Sequence, residues 1–179
     1  MFRTLIAAAV CSLFIASTVS AQPTVEDYTS FWKPIVGNWK MTNDADGKIT
    51  TGVFNFKISR NKKCVLLYHG GKDDPHTQQL QGYDPVAKKL VAYGFAETGH
   101  FQVQTIGING MKKGMEADEG TGGDWEMKVF GKDGSTKTTT SKWKFTKMEK
   151  DKIVMVWYDI KSDDPDQPSK LTMTIERKK

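Results

Sequence analysis

The chain has 179 residues, with 26 Lys and Arg against 21 Asp and Glu, for a formal net charge of +5. The length suits a single domain large enough to bury its own core. The positive excess is too small for the electrostatic footprint of a nucleic-acid binder, and no apolar run is long enough to form a stable membrane-spanning helix.

Residues 1–21 read as a signal peptide rather than as fold. Arg3 supplies a positive start, "LIAAAVCSLFIA" an apolar stretch of the required length, and Val19-Ser20-Ala21 a small-x-small cleavage pattern. The expected mature domain is therefore 22–179, periplasmic or extracellular. Of the two cysteines, Cys11 lies in the apolar stretch. The mature chain then keeps Cys64 alone and forms no internal disulfide. Cys64 opens the apolar run "CVLLYHG" and reads as a buried structural thiol.

A short helix is predicted from Thr24, a candidate N-cap followed by Glu26 and Asp27 in the first turn. Tyr28, Phe31 and Trp32 fall on one face at spacings of three and four, and Pro34 ends the element. Everything after it reads as strand and turn. Alternation places Phe54, Phe56 and Ile58 on one face of "TGVFNFKIS". It does the same for Trp125, Met127 and Val129 in "DWEMKVF", for Ser141, Trp143 and Phe145, and for Leu171, Met173 and Ile175. "KLVAYGFA" and "KIVMVWYDI" are apolar in both phases, which suggests a place beneath the helix or in a crowded part of the core. Asp46-Gly47, Asn109-Gly110 and Asp133-Gly134 are tight-hairpin signals, and Asp84-Pro85 marks another turn. "SDDPDQPSK" reads as a longer polar loop.

Ten or eleven short strands joined by hairpins predict an all-β protein. A meander this long must close or leave two exposed edges. The expected architecture is an antiparallel up-and-down barrel of about ten strands with a short N-terminal helix at one end.

Three motifs support this. Gly37-Asn38-Trp39 follows the helix, "GYDPVAKKLVAYGF" begins at Gly82, and "LTMTIERKK" begins at Leu171. Their order and spacing resemble those of a family of bacterial exported lipocalin-like (calycin-type) proteins, known as a domain of unknown function. The resemblance spans nearly the whole mature chain and implies a lid helix leading into a G-x-W first strand. Gly37 would allow the sharp turn into that strand, and Trp39 would plug the barrel end beneath the lid.

The candidate chemistries are weighed against plainer readings. Nitrobindin-like barrels are similar in shape and hold haem through a histidine on a late strand. Here "KIVMVWYDI" and "KLTMTIERKK" contain none, so no haem and no other cofactor is expected. "HGGKDDPH" gathers His69, Asp73, Asp74 and His76, a set of metal-ligand types, yet it has the composition of a hairpin loop. "TNDADGKITTGV" lacks the first Asp and last Glu of a calcium loop, and it reads as a hairpin. There is no G-x-S-x-G or H-E-x-x-H motif. An isomerase or hydrolase could draw only on Glu97, His100 or Glu126.

The remaining signal is aromatic. Trp39, Phe54, Tyr93, Trp125, Trp143 and Trp157 are the candidate lining of a cavity for a small apolar or amphipathic molecule. A barrel of this size is either filled by such side chains or hollow, and both outcomes stay open at this point. A third reading has Lys142 and Lys144 meet acidic cell-surface polymers.

Overall fold

A computed structural model describes residues 23–71 and 76–178. The expected signal peptide lies outside the described residues, and so do Asp73 and Asp74 of the candidate metal cluster. The described chain is a closed antiparallel barrel with the up-and-down order expected: β1 (Gly37–Ala45), β2 (Lys48–Ile58), β3 (Cys64–Gly70), β4 (Thr77–Asp84), β5 (Lys89–Ala96), β6 (Phe101–Ile106), β7 (Gly122–Phe130), β8 (Thr136–Met148), β9 (Lys152–Ser162) and β10 (Leu171–Arg177). Each strand pairs with its sequence neighbours, and β10 closes on β1, with Trp39 opposite Arg177 and Ala45 opposite Leu171. Among the described residues, no sheet edge is left for another chain to pair with.

One short helix, α1 (Val25–Phe31), covers one end. A capping box starts it. The Thr24 hydroxyl accepts from the Asp27 backbone N–H at 3.2 Å, and the Asp27 carboxylate accepts from the Thr24 N–H at 2.8 Å. A 3₁₀ turn at Lys33–Ile35, with Pro34 inside it, then delivers the chain to β1. Asp27 does a second job. Its other oxygen accepts from the Gly114 N–H at 2.9 Å, and nearby the Ala117 N–H donates to the Phe31 carbonyl. The residues between β6 and β7 are thereby strapped across the helix. The Asn109-Gly110 signal falls in this long connection and not in the tight hairpin expected of it, because β6 ends at Ile106 and β7 resumes only at Gly122. The left-handed backbone expected of the signal is still present at Gly110.

Hydrogen bonds from the Thr24 and Gly114 backbones hold the Asp27 carboxyl below its usual range. Its stabilisation is therefore complete above the unfolded carboxylate range near pH ~4. It is lost as pH falls through the lower folded-state value. Asp27→Ala is expected to cost about 1–2 kcal/mol at neutral pH. That difference should shrink in strong acid. Urea unfolding of both proteins at neutral pH and well below the carboxylate range measures this. A deficit that does not change with pH would mean the charge of Asp27 is not what matters.

The capped end is packed solid. Phe31, Ile35, Trp39, Phe145, Ile153 and Ile175 are all at most 1% exposed. Trp39 donates its indole N–H to the Ile35 carbonyl at 2.8 Å, and the Arg177 guanidinium lies 4.2 Å from its ring centre. Gly37 has φ +143°, and a Cβ there would run into the Arg177 guanidinium, so glycine is required. Tyr83 stacks on Tyr28 of α1 with ring centres 4.0 Å apart. The three sequence motifs around Trp39, Tyr83 and Arg177 thus meet at the capped end.

Two strands, β4 and β6, turn glutamines inward and apolar side chains outward, and β5 between them keeps its larger aromatic side chains outside. On β4, Gln79 and Gln81 point inward while Leu80 is 47% exposed. On β5, Leu90, Ala92 and Gly94 point inward, while Tyr93 and Phe95 are exposed on the outside at 49% and 65%. On β6, Gln104 is buried, and Phe101 on the other face packs against Phe95 and Phe130. The expectation that "KLVAYGFA" would be covered on both faces is corrected: nothing among the described residues covers its outer face.

Candidate functional site

Above the packed end the barrel is hollow. A cavity of about 430 Å³ runs from Trp32 and Ile35 beneath the helix to Thr98, His100 and Gln167 in the loops of the opposite end. This answers the filled-or-hollow question with both: filled at the lid, open above it. The volume falls within the range of small-molecule sites.

Two unlike walls enclose this space. One is apolar and aromatic, built from Phe54 on β2, Trp143 on β8, Met155 and Trp157 on β9, and Leu171 and Met173 on β10. The facing wall is β4, β5 and β6. There Gln79 is in register with Gly94, and Gly94 with Gln102. One level nearer the lid, Gln81, Ala92 and Gln104 line up in the same way. Small residues on the middle strand make room for the glutamines on either side. A Cβ on Gly94 would come 2.7 Å from Gln102 Nε2 and 3.0 Å from Gln79 Cγ. Among the described residues, no Asp, Glu, Lys or Arg side chain lines the cavity.

The polar groups differ in how they are satisfied. Trp125 donates its indole N–H to Gln104 Oε1 at 3.1 Å, which orients that carboxamide. Gln81 is only 4% exposed, and its Oε1 has no protein partner. The Trp32 indole N–H, also in a residue 4% exposed, has none either, and nor does Asn43 Oδ1. All three residues line the cavity. An unmet buried group of this kind costs about 1–3 kcal/mol unless a small shift lets it meet water or another polar group.

Four of the six predicted lining residues, Phe54, Trp125, Trp143 and Trp157, face the cavity. The other two do not. Trp39 is fully buried in the packed end below it, held by Ile35 and Arg177. Tyr93 is half-exposed on the outer surface, because the inward phase of β5 belongs to Ala92 and Gly94. Trp32, read from the sequence only as part of the helix face, turns out to be the cavity floor, packed against Phe56 and Trp143. The four glutamines were not anticipated. Their signal was present in "TQQLQ" and "FQVQT", where Gln79 and Gln81, and Gln102 and Gln104, are spaced by two.

The catalytic candidates do not converge. His100 lies at the mouth within 3.4 Å of the Thr98 hydroxyl, and Glu97 is exposed in the same turn. Glu126 points outward and pairs with Lys128. His69 lines the cavity, while His76 is hydrogen-bonded to the Tyr68 hydroxyl. Lys142 and Lys144 stand on the outer face of β8, the first 4.0 Å from Asp159 and the second over the Tyr158 ring.

Fold and cavity together define a ten-stranded up-and-down β-barrel, sealed at one end by a helix and hollow within, with no Asp, Glu, Lys or Arg among the described lining residues. Set against protein-family models and against curated proteins, the chain matches none.

Proposed function

We propose that this protein is an exported lipocalin-like barrel that holds one uncharged, amphipathic small molecule in its interior, without chemistry. The observation that carries this reading is the two-walled cavity: an aromatic and methionine wall to bury apolar surface, and a carboxamide wall to orient the polar part. An ionic ligand would find no Asp, Glu, Lys or Arg among the described lining residues to compensate its lost hydration. Export rests on the N-terminal sequence, and the lipocalin-like kinship on the three motifs and their order.

Native mass spectrometry of the mature protein from its own host, together with fluorescence titration of the neutral dye 1-aminoanthracene, tests the proposal. A reproducible extra mass released on unfolding, or dye binding that barely changes with added salt, supports it. An empty protein that also fails to bind the dye would sink it. Binding of an acidic polysaccharide that fades steeply with salt, with no dye binding, would instead point to the outer lysines. Because Tyr93 is outside, Tyr93→Ser is expected to leave dye affinity within about twofold of wild type.

A further inference from the structure

We propose that the outer face of β3 to β6 is the contact surface of a homodimer, in which two barrels pack the same patch against each other about a two-fold axis. Register builds the patch. Leu66, Leu80, Tyr93 and Val103 stand opposite one another on four successive strands, all in the outward phase. One level nearer the mouth, Phe95 is in register with Phe101, and Phe101 with Phe130. Their rings are already in contact: the centre of Phe101 lies 5.1 Å from that of Phe95, 5.6 Å from Phe130 and 6.4 Å from Tyr93. Rings that hold one another lose little freedom on docking. Charge begins only at the flanks of the first row, with Lys57 beyond Leu66 and Lys128 beyond Val103. The solvated phase of an antiparallel strand is normally polar. Aromatic enrichment with charge depletion is instead the composition of an interface core.

Area favours a second copy as the occupant. Leu66, Leu80, Tyr93, Phe95 and Phe130 are all exposed large apolar residues, and together they leave ~500 Å² open to water. A standard interface takes about 800 Å² from each partner, and in homodimers roughly two-thirds of it is apolar. The patch therefore supplies the apolar core such a contact needs, and Tyr68, Gln78 and the flanking lysines supply a polar rim. Barrel closure leaves no edge to pair among the described residues, so two copies meet face to face, as packed sheets do. Neither apolar row carries a charge that calls for an opposite one, and a two-fold contact sets each patch on its own copy. This association does not depend on what the cavity holds.

Sedimentation velocity of the mature protein over a wide concentration range tests the proposal. A reversible monomer–dimer equilibrium is expected. The double variant Leu80→Ser with Phe95→Ser should weaken dimerisation at least about tenfold. Both side chains are exposed in a single barrel, so the core stays intact, and circular dichroism checks this. Phe95→Lys alone, which puts a charge inside the patch, serves if the double variant folds poorly. Ile49→Ser removes an exposed apolar side chain outside both rows and should leave the equilibrium unchanged. Protein that stays monomeric up to about 1 mM would overturn the proposal. So would a dimer that is equally strong in the patch variants, or one that Ile49→Ser weakens as much. A monomer that co-sediments with vesicles of phosphatidylcholine and phosphatidylglycerol, and fails to do so in the patch variants, would replace the second copy with a lipid surface.

Discussion

Alanine at Trp125 is expected to weaken 1-aminoanthracene binding about ten- to a hundredfold per folded molecule. The indole contributes at two levels. Its ring is part of the cavity wall, and a tryptophan in such a place removes on the order of 100 Å² of apolar surface from water, worth roughly 2–3 kcal/mol. Its N–H also fixes Gln104 through the 3.1 Å hydrogen bond, so the variant frees a buried carboxamide to turn. Only part of the ring faces the ligand, since Trp125 itself is half-buried and also borders the outer surface near Glu126 and Ser141. Fluorescence titration should be normalised to the folded fraction from circular dichroism. If stability falls but affinity per folded molecule does not, Trp125 serves the fold alone and the cavity is not where the probe sits.

The opposite division is expected at Trp39. Trp39→Ala should lower unfolding free energy by about 3–5 kcal/mol, a large part of the ~5–15 kcal/mol that holds a domain of this kind. The ring is fully buried, it satisfies the Ile35 carbonyl, and it carries the Arg177 guanidinium that ties β10 to the start of β1. Removing it leaves a cavity in the packed end and loosens the seam where the barrel closes. Trp39→Phe keeps most of the packing but loses the hydrogen bond, and should cost clearly less. Urea midpoints measure both. A Trp39→Ala midpoint close to wild type would mean that the sealed end does not hold the barrel together. Binding by whatever fraction of Trp39→Ala remains folded should be nearly normal, because the side chain does not reach the cavity.

These two tryptophans show what was legible in the residues themselves. Trp125 announced a strand by alternation and Trp39 by the G-x-W resemblance, and the hairpin signals at Asp46-Gly47 and Asp133-Gly134 joined strands that do pair in the barrel. Local rules sufficed because each concerns atoms a few residues apart: a glycine that accepts positive φ, a Thr24–Asp27 capping box, a side-chain phase that repeats every second residue. The closed order of ten strands followed from the length of the meander and the cost of leaving edges unpaired. The long strap over the helix did not follow, because Asn109-Gly110 reports a local bend and says nothing about how far away the next strand begins.

Which side of a strand faced the interior was the larger question. On β1, β2, β8 and β10 the apolar phase is the inner one, and sequence and structure agree. On β4 and β6 the rule that apolar side chains go inside would have placed Leu80, Phe101 and Val103 in the barrel and the glutamines in water, and on β5, apolar in both phases, it could not choose between Tyr93 and Ala92. Neighbouring strands decide this phase. Once β3 and β7 are paired in register, the pleat leaves no freedom, since a slip of one residue would flip both faces. The amino acids by themselves determined the strands, their turns, the lid and the plug, because short-range sterics and hydrophobic periodicity act within each segment. Only the closed barrel decided that an aromatic wall from four strands would face glutamines from β4 and β6 across one cavity, because that juxtaposition exists only when register and closure bring distant segments to the same level.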